Sequence, residues 1–258
     1  MQEGTSSSFS MPRAAGAEPR ILVNMATYNE SENIVKLIQE IHQVLPQAHV
    51  LIVDDNSPDG TGKLVDEMAK TDPRIHALHR AGKLGLGTAI LAAMKYAMEH
   101  DYDLMVNMDA DFSHPTRYLP AVVAGMDKND VMIGSRYIAG GGSVNWPASR
   151  LIISRTVNTV VRLLFRMQVH DASGGFRCYR VAKLRQTRLD RLWSRGYSFQ
   201  QEVLYRCHQA GCKLGETPIM FENRKFGKSK VSLKESVRSL STILLLGVRS
   251  MTGVDKRR

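Results

Sequence analysis

The chain has 258 residues, 43% of them hydrophobic and 23% charged, which suits one large α/β domain, or two at most, and excludes wholesale disorder, collagen and coiled coil. No window reaches the ~18 consecutive apolar residues that a bilayer-crossing helix needs, and three cysteines without CxxC spacing, Cys178, Cys207 and Cys212, argue against a disulfide framework and a structural zinc site. The net charge of +10 is unevenly spread: residues 1–140 carry 12 Lys or Arg against 18 Asp or Glu, and residues 141–258 carry 23 against 7.

An acidic half fit to hold a metal cation therefore precedes a basic half fit for nucleic acid, an anionic membrane or phosphorylated ligands. Residues 1–19 are rich in Ser, Ala, Gly and Pro and lack an apolar core, which predicts a disordered tail, no signal peptide and a cytoplasmic location. Ile21 to Met25 predicts a buried strand. A helix follows on which Ile34, Leu37, Ile38, Ile41 and Leu45 share a face, with Ser31 as its N-cap. A second strand, Val50 to Val53, runs into Asp54 and Asp55. Next come a helix near Thr61 to Lys70, a strand near Ile75 to His79, a helix from Gly87 to Met98 and a strand from Leu104 to Met108. A helix near Pro115 to Met126 and a strand from Val131 to Gly134 complete this half. Such repeated βα units predict an α/β fold with a mainly parallel, doubly wound sheet, helices on both faces, and ligands beyond the carboxyl ends of the strands.

After Gly140, Gly141 and Gly142 the pattern turns to amphipathic helices separated by basic loops. From Ser149 to Met167, the residues Ile152, Ile153, Val157, Val160, Val161, Leu163 and Leu164 form one broad apolar face. Arg155, Arg162 and Arg166 form one polar stripe, and Arg150, Ser154 and Asn158 a second at i, i+4, i+8. Both a core helix with a solvated face and an interfacial helix lying on a membrane have this pattern. A last helix, near Leu233 to Arg249, repeats it.

Chemistry concentrates at the predicted strand ends. Asp109-Ala110-Asp111 directly follows an apolar strand, and two carboxylates so spaced hold a divalent cation that bridges phosphate oxygens. The segment Asp54 to Thr61 and the segment Thr27 to Glu30 close two further strands with groups able to bond a ribose or base. Arg80 to Gly87 supplies two cations and three glycines before a helix, a setting for an anion. Neither GxxxxGK[ST] nor a dinucleotide fingerprint after the first strand is present, which disfavours an ATPase or an NAD enzyme.

In order and spacing, the segments ATYNE (26–30), VDDNSPDGT (53–61), RAGKLGLGTA (80–89), MDADFSHP (108–115), GSRY (134–137), DASGGFRCYR (171–180), GYSFQQE (196–202) and ETPIMFENRKFGKSK (216–230) resemble a known family. It is that of the metal-dependent, inverting family 2 glycosyltransferases of the GT-A fold, and within it the dolichyl- or polyprenyl-phosphate mannose synthases. Ala26 stands where the family usually has Pro, and Ser173 where it has Thr. Ser113 stands where some members carry a carboxamide, so a third metal ligand is not carried over. The resemblance implies a GT-A domain over 20–230, with a nucleotide-sugar half at 20–140, an acceptor half at 141–230, and an amphipathic helix and basic tail over 231–258. It implies a donor site of Ala26, Tyr28, Glu30, Val53, Asp55, Lys83, Asp109 and Ala110, and a Mg²⁺ or Mn²⁺ ion on Asp111 with Asp109 assisting. It places an acceptor-phosphate clamp at Arg136, Arg150, Ser154, Arg224 and Lys230, and a catalytic set of Asp109, Asp111 and Arg136. Many members carry C-terminal transmembrane helices. Without one, the resemblance implies peripheral attachment to the cytoplasmic face of a membrane, through the chain's own helices or a membrane-anchoring subunit.

Family members that glycosylate hydroxyls place an Asp base in an ED-type motif, and the corresponding Phe199-Gln200-Gln201-Glu202 has no such pair. A phosphate monoester needs no base, because its second pKa of about 6 leaves it largely dianionic at neutral pH. The expected reaction is transfer of mannose from GDP-mannose to a polyprenyl monophosphate. The alternative is a polyprenyl-phosphate glucosyl- or N-acetylglucosaminyltransferase using a UDP-sugar. A nucleic-acid-binding role is remote, since the basic half has no zinc finger, RNP-like aromatic motif or helix-turn-helix. His114 is expected to be a structural hydrogen-bonder rather than a catalyst, and Asp171 and Arg177 are either site residues or, the preferred reading, an internal ion pair.

Overall fold

Strands β1 (Ile21–Thr27), β2 (His49–Asp54) and β4 (Leu104–Asp109) are almost continuously apolar because helices cover both of their faces. The computed structural model describes residues 18–194, 196, 198–222, 243 and 245–247. The expected tail up to residue 17, Arg224, Lys230 and most of the expected helix near Leu233 to Arg249 lie outside the described residues.

Between the strands named run α1 (Ser31–Val44), α2 (Thr61–Thr71), β3 (Ile75–His79) and α3 (Leu86–Glu99); α4 (Leu119–Ala124), β5 (Val131–Ser135), β6 (Gly142–Ser143) and α5 (Ala148–Phe165) follow β4. Then come β7 (Arg177–Arg180), α6 (Val181–Leu184), α7 (Phe199–Gln209), β8 (Leu214–Pro218) and β9 (Met220–Phe221). The central sheet has the order β3-β2-β1-β4-β7-β5-β8, parallel except for β7, which runs antiparallel to β4 and β5; β6 and β9 pair separately. The mainly parallel, doubly wound sheet is therefore present. It carries one antiparallel strand that hydrophobic periodicity had not located.

Side chains alternate across the sheet. Ile21, Val23 and Met25 pack with α1, α2 and α4 on one face, while Leu22, Leu51, Val53 and Met105 pack with α3, α5 and α7 on the other. The chain winds from β1 outward to β3, then returns to β4 on the other side of β1, so a crevice opens beyond the carboxyl ends of β1 and β4.

Three local expectations are corrected. Ser31 is the first residue of α1 and not its cap; its amide donates to Asp59 Oδ2 at 2.9 Å, so the next βα loop caps the helix. The helix expected over Pro115 to Met126 is the short α4 flanked by 3-10 turns at Thr116–Tyr118 and Gly125–Asp127. The single apolar face expected on α5 is divided. Val161 and Phe165 are buried with Asn158, while Ile152, Ile153 and Leu163 are 65%, 51% and 68% exposed. The cause is the polar stripe, whose Ser154 and Asn158 find partners on the inward side.

Candidate active site

Register assembles the donor side. Ala26 of β1 stands opposite Val53 of β2 and Asp109 of β4, so three of the expected donor residues lie abreast at the strand ends. The Lys83 ammonium lies 4.8 Å over the Tyr28 ring, which brings two more together. The Glu30 amide donates to Thr61 Oγ1, and its carboxylate accepts from Asn33 Nδ2.

The acidic loop after β2 divides its labour. Buried Asp54 accepts from Thr27 Oγ1 and from the amide and hydroxyl of Ser57, and Asp59 accepts from the Thr61 and Ser31 amides. These two shape the turn. Asp55 pairs with Arg80, which also donates to Thr88 Oγ1 at 2.7 Å and to the Gly85 carbonyl. The anion-binding setting expected of Arg80 is thus taken up by a carboxylate of the protein itself.

Asp109 closes β4, Ala110 is buried, and the turn after Asp111 passes through Phe112 at φ 62°, a left-handed conformation rare for a bulky residue. Ser113 donates its amide (3.1 Å) and hydroxyl (2.5 Å) to one oxygen of Asp111, which fixes that carboxylate. His114 Nδ1 accepts the Asp109 amide at 3.0 Å, and its ring stacks on Phe176. His114 is the structural hydrogen-bonder expected. Two carboxylates give the hard oxygen donors that Mg²⁺ or Mn²⁺ takes, and among the described residues no group of three or more His, Cys, Asp or Glu forms a cage.

Among the residues expected at the acceptor, Arg136 follows β5 and donates through Nε and Nη2 to the two oxygens of Asp171, each at 2.7 Å, and through Nη2 to Ser173 Oγ at 2.8 Å. Its amide also donates to Asp171. Burial alone would push the Asp171 carboxyl up, but the Arg136 charge and hydrogen bonds hold it below the usual carboxylate range. This overturns the expected pairing with Arg177. The 171–175 loop turns its carboxylate toward the end of β5, whereas the fully buried Arg177 donates to the carbonyls of Gln200 (2.5 Å) and Ala172 (2.7 Å).

The stripe of Arg150, Ser154 and Asn158 faces this cluster. Tyr137 donates its hydroxyl to Ser154 Oγ at 2.6 Å, and Asn158 exchanges two hydrogen bonds with Ser173. The Arg150 guanidinium lies 3.8 Å over the Trp146 ring, and that of Arg136 lies 5.3 Å from it. Phe221 meets Trp146 edge-on at 5.3 Å and His114 at the same distance, so one ring joins the Arg136 cluster to the Asp109 turn. Arg136, Arg150 and Ser154 are thus brought together. Tyr137, Trp146 and Phe221 are missed from sequence; Tyr137 lies within GSRY (134–137) and Phe221 within ETPIMFENRKFGKSK (216–230), but nothing in the sequence points to Trp146.

The profile of glycosyl transferase family 2 matches residues 23–188, from β1 through the Asp109 turn to beyond α6. The chain belongs to the family 2 glycosyltransferases. Similar glycosyltransferases include the polyprenol monophosphomannose synthase of Mycolicibacterium smegmatis, 41% identical over 249 residues that span 92% of this chain and 93% of that one. The undecaprenyl-phosphate mannosyltransferase of Micrococcus luteus is 40% identical over 213 residues, 83% of this chain and 88% of that one. Among solved structures, glucosyl-3-phosphoglycerate synthase from Mycobacterium tuberculosis, in complex with Mn²⁺, UDP and phosphoglyceric acid, superposes with a TM-score of 0.61 at 14% identity. That match covers 90% of this chain and 78% of the other, and shows a common fold. The family and the GT-A fold read from the motifs are borne out.

Proposed function

We propose that this glycosyltransferase moves mannose from GDP-mannose to a polyprenyl monophosphate, of dolichyl type, with inversion at the anomeric carbon. The observation that carries this reading is the first turn of α7. Where a hydroxyl-glycosylating relative needs a carboxylate base, Gln200 and Gln201 stand, and Glu202 is fully buried, accepting the amides of Trp193 and Ser194. The cluster opposite is cationic, as an anionic acceptor requires. The relatives' names, a monophosphomannose synthase and a phosphate mannosyltransferase, supply the sugar and the lipid.

In this reading Tyr28, Lys83 and Asp55 hold the nucleotide, with Ala26, Glu30, Val53 and Ala110 forming the walls around it. Asp109 and Asp111 hold Mg²⁺ or Mn²⁺, which when bound neutralises the departing diphosphate. Arg150 and Ser154 grip the acceptor phosphate. Arg136 has Nε and Nη2 committed to Asp171 and Ser173 and turns Nη1 to a phosphate oxygen, guanidinium forks being suited to phosphate. Arg224 and Lys230 join the clamp by resemblance. An acceptor oxygen attacks the anomeric carbon on the face opposite the diphosphate, the bond to GDP breaks, and mannosyl-phosphoryl lipid and GDP result.

The acceptor's chain needs a membrane. The outward residues Ile152, Ile153 and Leu163, together with Leu245 at 66% exposure and the basic stripe of Arg155, Arg162 and Arg166, form the face assigned to an anionic membrane surface on its cytoplasmic side. Ile243 and Leu246 belong to the same core cluster as Val161, and Gly247 lies against Leu164, which brings this stretch beside α5. No helix among the described residues is long and apolar enough to cross a membrane. A membrane-anchoring subunit would act through the same face.

The test is transfer of label from GDP-mannose to a short-chain polyprenyl phosphate with Mg²⁺ or Mn²⁺, beside UDP-glucose, UDP-N-acetylglucosamine and an EDTA control. Metal-dependent mannosyl-phosphoryl lipid is the expected product. Activity with a UDP-sugar alone overturns the mannose assignment, and transfer that survives EDTA overturns the metal.

A further inference from the structure

The geometry points to Gln200 as the residue that recognises a hydroxyl of the transferred sugar, seated in a hollow over Gly175; the inference rests on the donor reading above. Gly175 lies in the loop before β7, its carbonyl held by Asn107 Nδ2 at 2.8 Å, and Asn107 Oδ1 in turn accepts from Asn24 Nδ2. A methyl group placed on Gly175 would lie 3.6 Å from Gln200 Nε2, 3.7 Å from Asp109 Oδ1 and 3.7 Å from His114 Cε1. The missing side chain therefore leaves a hollow walled by an amide, the first carboxylate of the Asp109 turn and an imidazole edge.

Gln200 is only 6% exposed, and its side-chain Oε1 has no hydrogen-bond partner. A buried carbonyl left unpaired is costly, and its amide can both accept and donate. Its place is rigid. Arg177 ties the Gln200 carbonyl to the loop carbonyl of Ala172, and the neighbouring Phe199 ring seats on α3 at Gly87, where a Cβ would come within 2.7 Å of it. This amide is thus held in place with its donor Nε2 turned to the hollow.

The chemistry of the hollow selects a polyol. A phosphate group would face the Asp109 carboxylate there, whereas a hexose hydroxyl seated in the hollow accepts from Gln200 Nε2 through its oxygen and donates its hydrogen to Asp109 Oδ1. With the diphosphate on the Asp109 turn, the next group of the donor is the hexose. A sugar that lacks this hydroxyl, or holds it on the other side of the ring, leaves the Nε2 donor and the Asp109 acceptor unmatched, and sites built this way discriminate strongly.

The experiment measures GDP and GDP-mannose affinity with Mn²⁺, and steady-state transfer, for the wild type, Gln200→Leu and Gly175→Ala, using GDP-mannose and a panel of its monodeoxy analogues. Expected for Gln200→Leu is a loss of about 10- to 100-fold in kcat/KM for GDP-mannose with GDP affinity unchanged. One deoxy donor that the wild type rejects becomes as good as GDP-mannose for this variant, a readout that a structural role would not move. Gly175→Ala makes only ordinary contacts, so it folds, and it is expected to lose mannose transfer while binding GDP. A Gln200→Leu enzyme that matches the wild type on every donor overturns the inference alone. A wild type that transfers nothing from GDP-mannose overturns the reaction assigned above.

Discussion

Asp171 and Arg136 lie almost wholly inside the protein, and both remain charged because each is the other's partner. Breaking a buried pair strands a charge in a low-dielectric interior, so Asp171→Asn is expected to cost about 3–5 kcal/mol in urea unfolding. Replacing both, as Asp171→Asn with Arg136→Leu, should recover part of that stability without restoring the acceptor's KM. The sign of the pH effect follows from the lowered Asp171 pKa: its contribution is present above the unfolded carboxyl value and disappears as acid protonates the folded group. Asp111 acts differently. Its carboxylate is fixed by Ser113, so Asp111→Asn is expected to abolish metal-dependent transfer, and Ser113→Ala to lower kcat about tenfold, one lost orienting hydrogen bond, with the fold intact by circular dichroism. Full turnover by Asp111→Asn would remove the metal from the mechanism.

At the scale of the element, α5 serves two surfaces at once. Its i, i+4, i+8 stripe was legible because a helix returns to the same direction every few residues, and Ser154 and Asn158 indeed reach Tyr137 and Ser173. Which apolar residues would be buried was not legible, since a wheel shows a face but not what lies beneath it. The exposed pair Ile152 and Ile153 gives the prediction: Ile152→Ser with Ile153→Ser should reduce sedimentation with phosphatidylglycerol vesicles several-fold, while transfer to a short-chain, water-soluble acceptor is retained. Binding of the wild type should also fall as salt rises, because Arg155 and Arg162 contribute charge. Vesicle binding equal in wild type and variant would show that α5 is not the docking face. Gln200 and Phe221 stand in recognisable motifs, but their nearness to the Asp109 turn was illegible for a topological reason. They come from α7 and β9, separate stretches of chain, and β7 inserts antiparallel between β4 and β5 in the same sheet. Nor did composition choose between Arg136 and Arg177 as the partner of Asp171; the turn of one loop decides it.

Across the whole molecule, the strand alternation in the first half was legible because buried parallel strands are apolar runs, and ligand residues gather where those runs end. The opposite end of the sheet carries a different network, roughly 17 Å away by the length of a strand. There His49 Nδ1 faces both the Tyr102 hydroxyl and His76 Nε2 at 3.0 Å, while the Arg20 guanidinium lies 4.6 Å over the Tyr102 ring. Burial first, and then the mutual charge of the two rings with Arg20 and Arg74, lower the His49 pKa, with Asp72 opposing. Burial, His100 and Arg20 lower that of His76, again against Asp72. His42 is lowered by burial and Arg74. Tyr102 is pushed to about 12 by burial and Tyr96, so it stays protonated and donates. Protonating His49 places a positive ring against His76 and near the Arg20 guanidinium. Since the folded values lie below the unfolded value of about 6.5, the unfolded chain binds more protons in between, and stability must rise with pH across that window. The thermal midpoint is therefore expected to fall between pH 7.5 and pH 5.5, and His76→Gln to flatten that slope. The Asp171 contribution is lost only at lower pH, so the two transitions separate in a titration of stability. A wild-type midpoint that holds constant from pH 7.5 to 5.5 would show that these rings are not kept neutral by the fold.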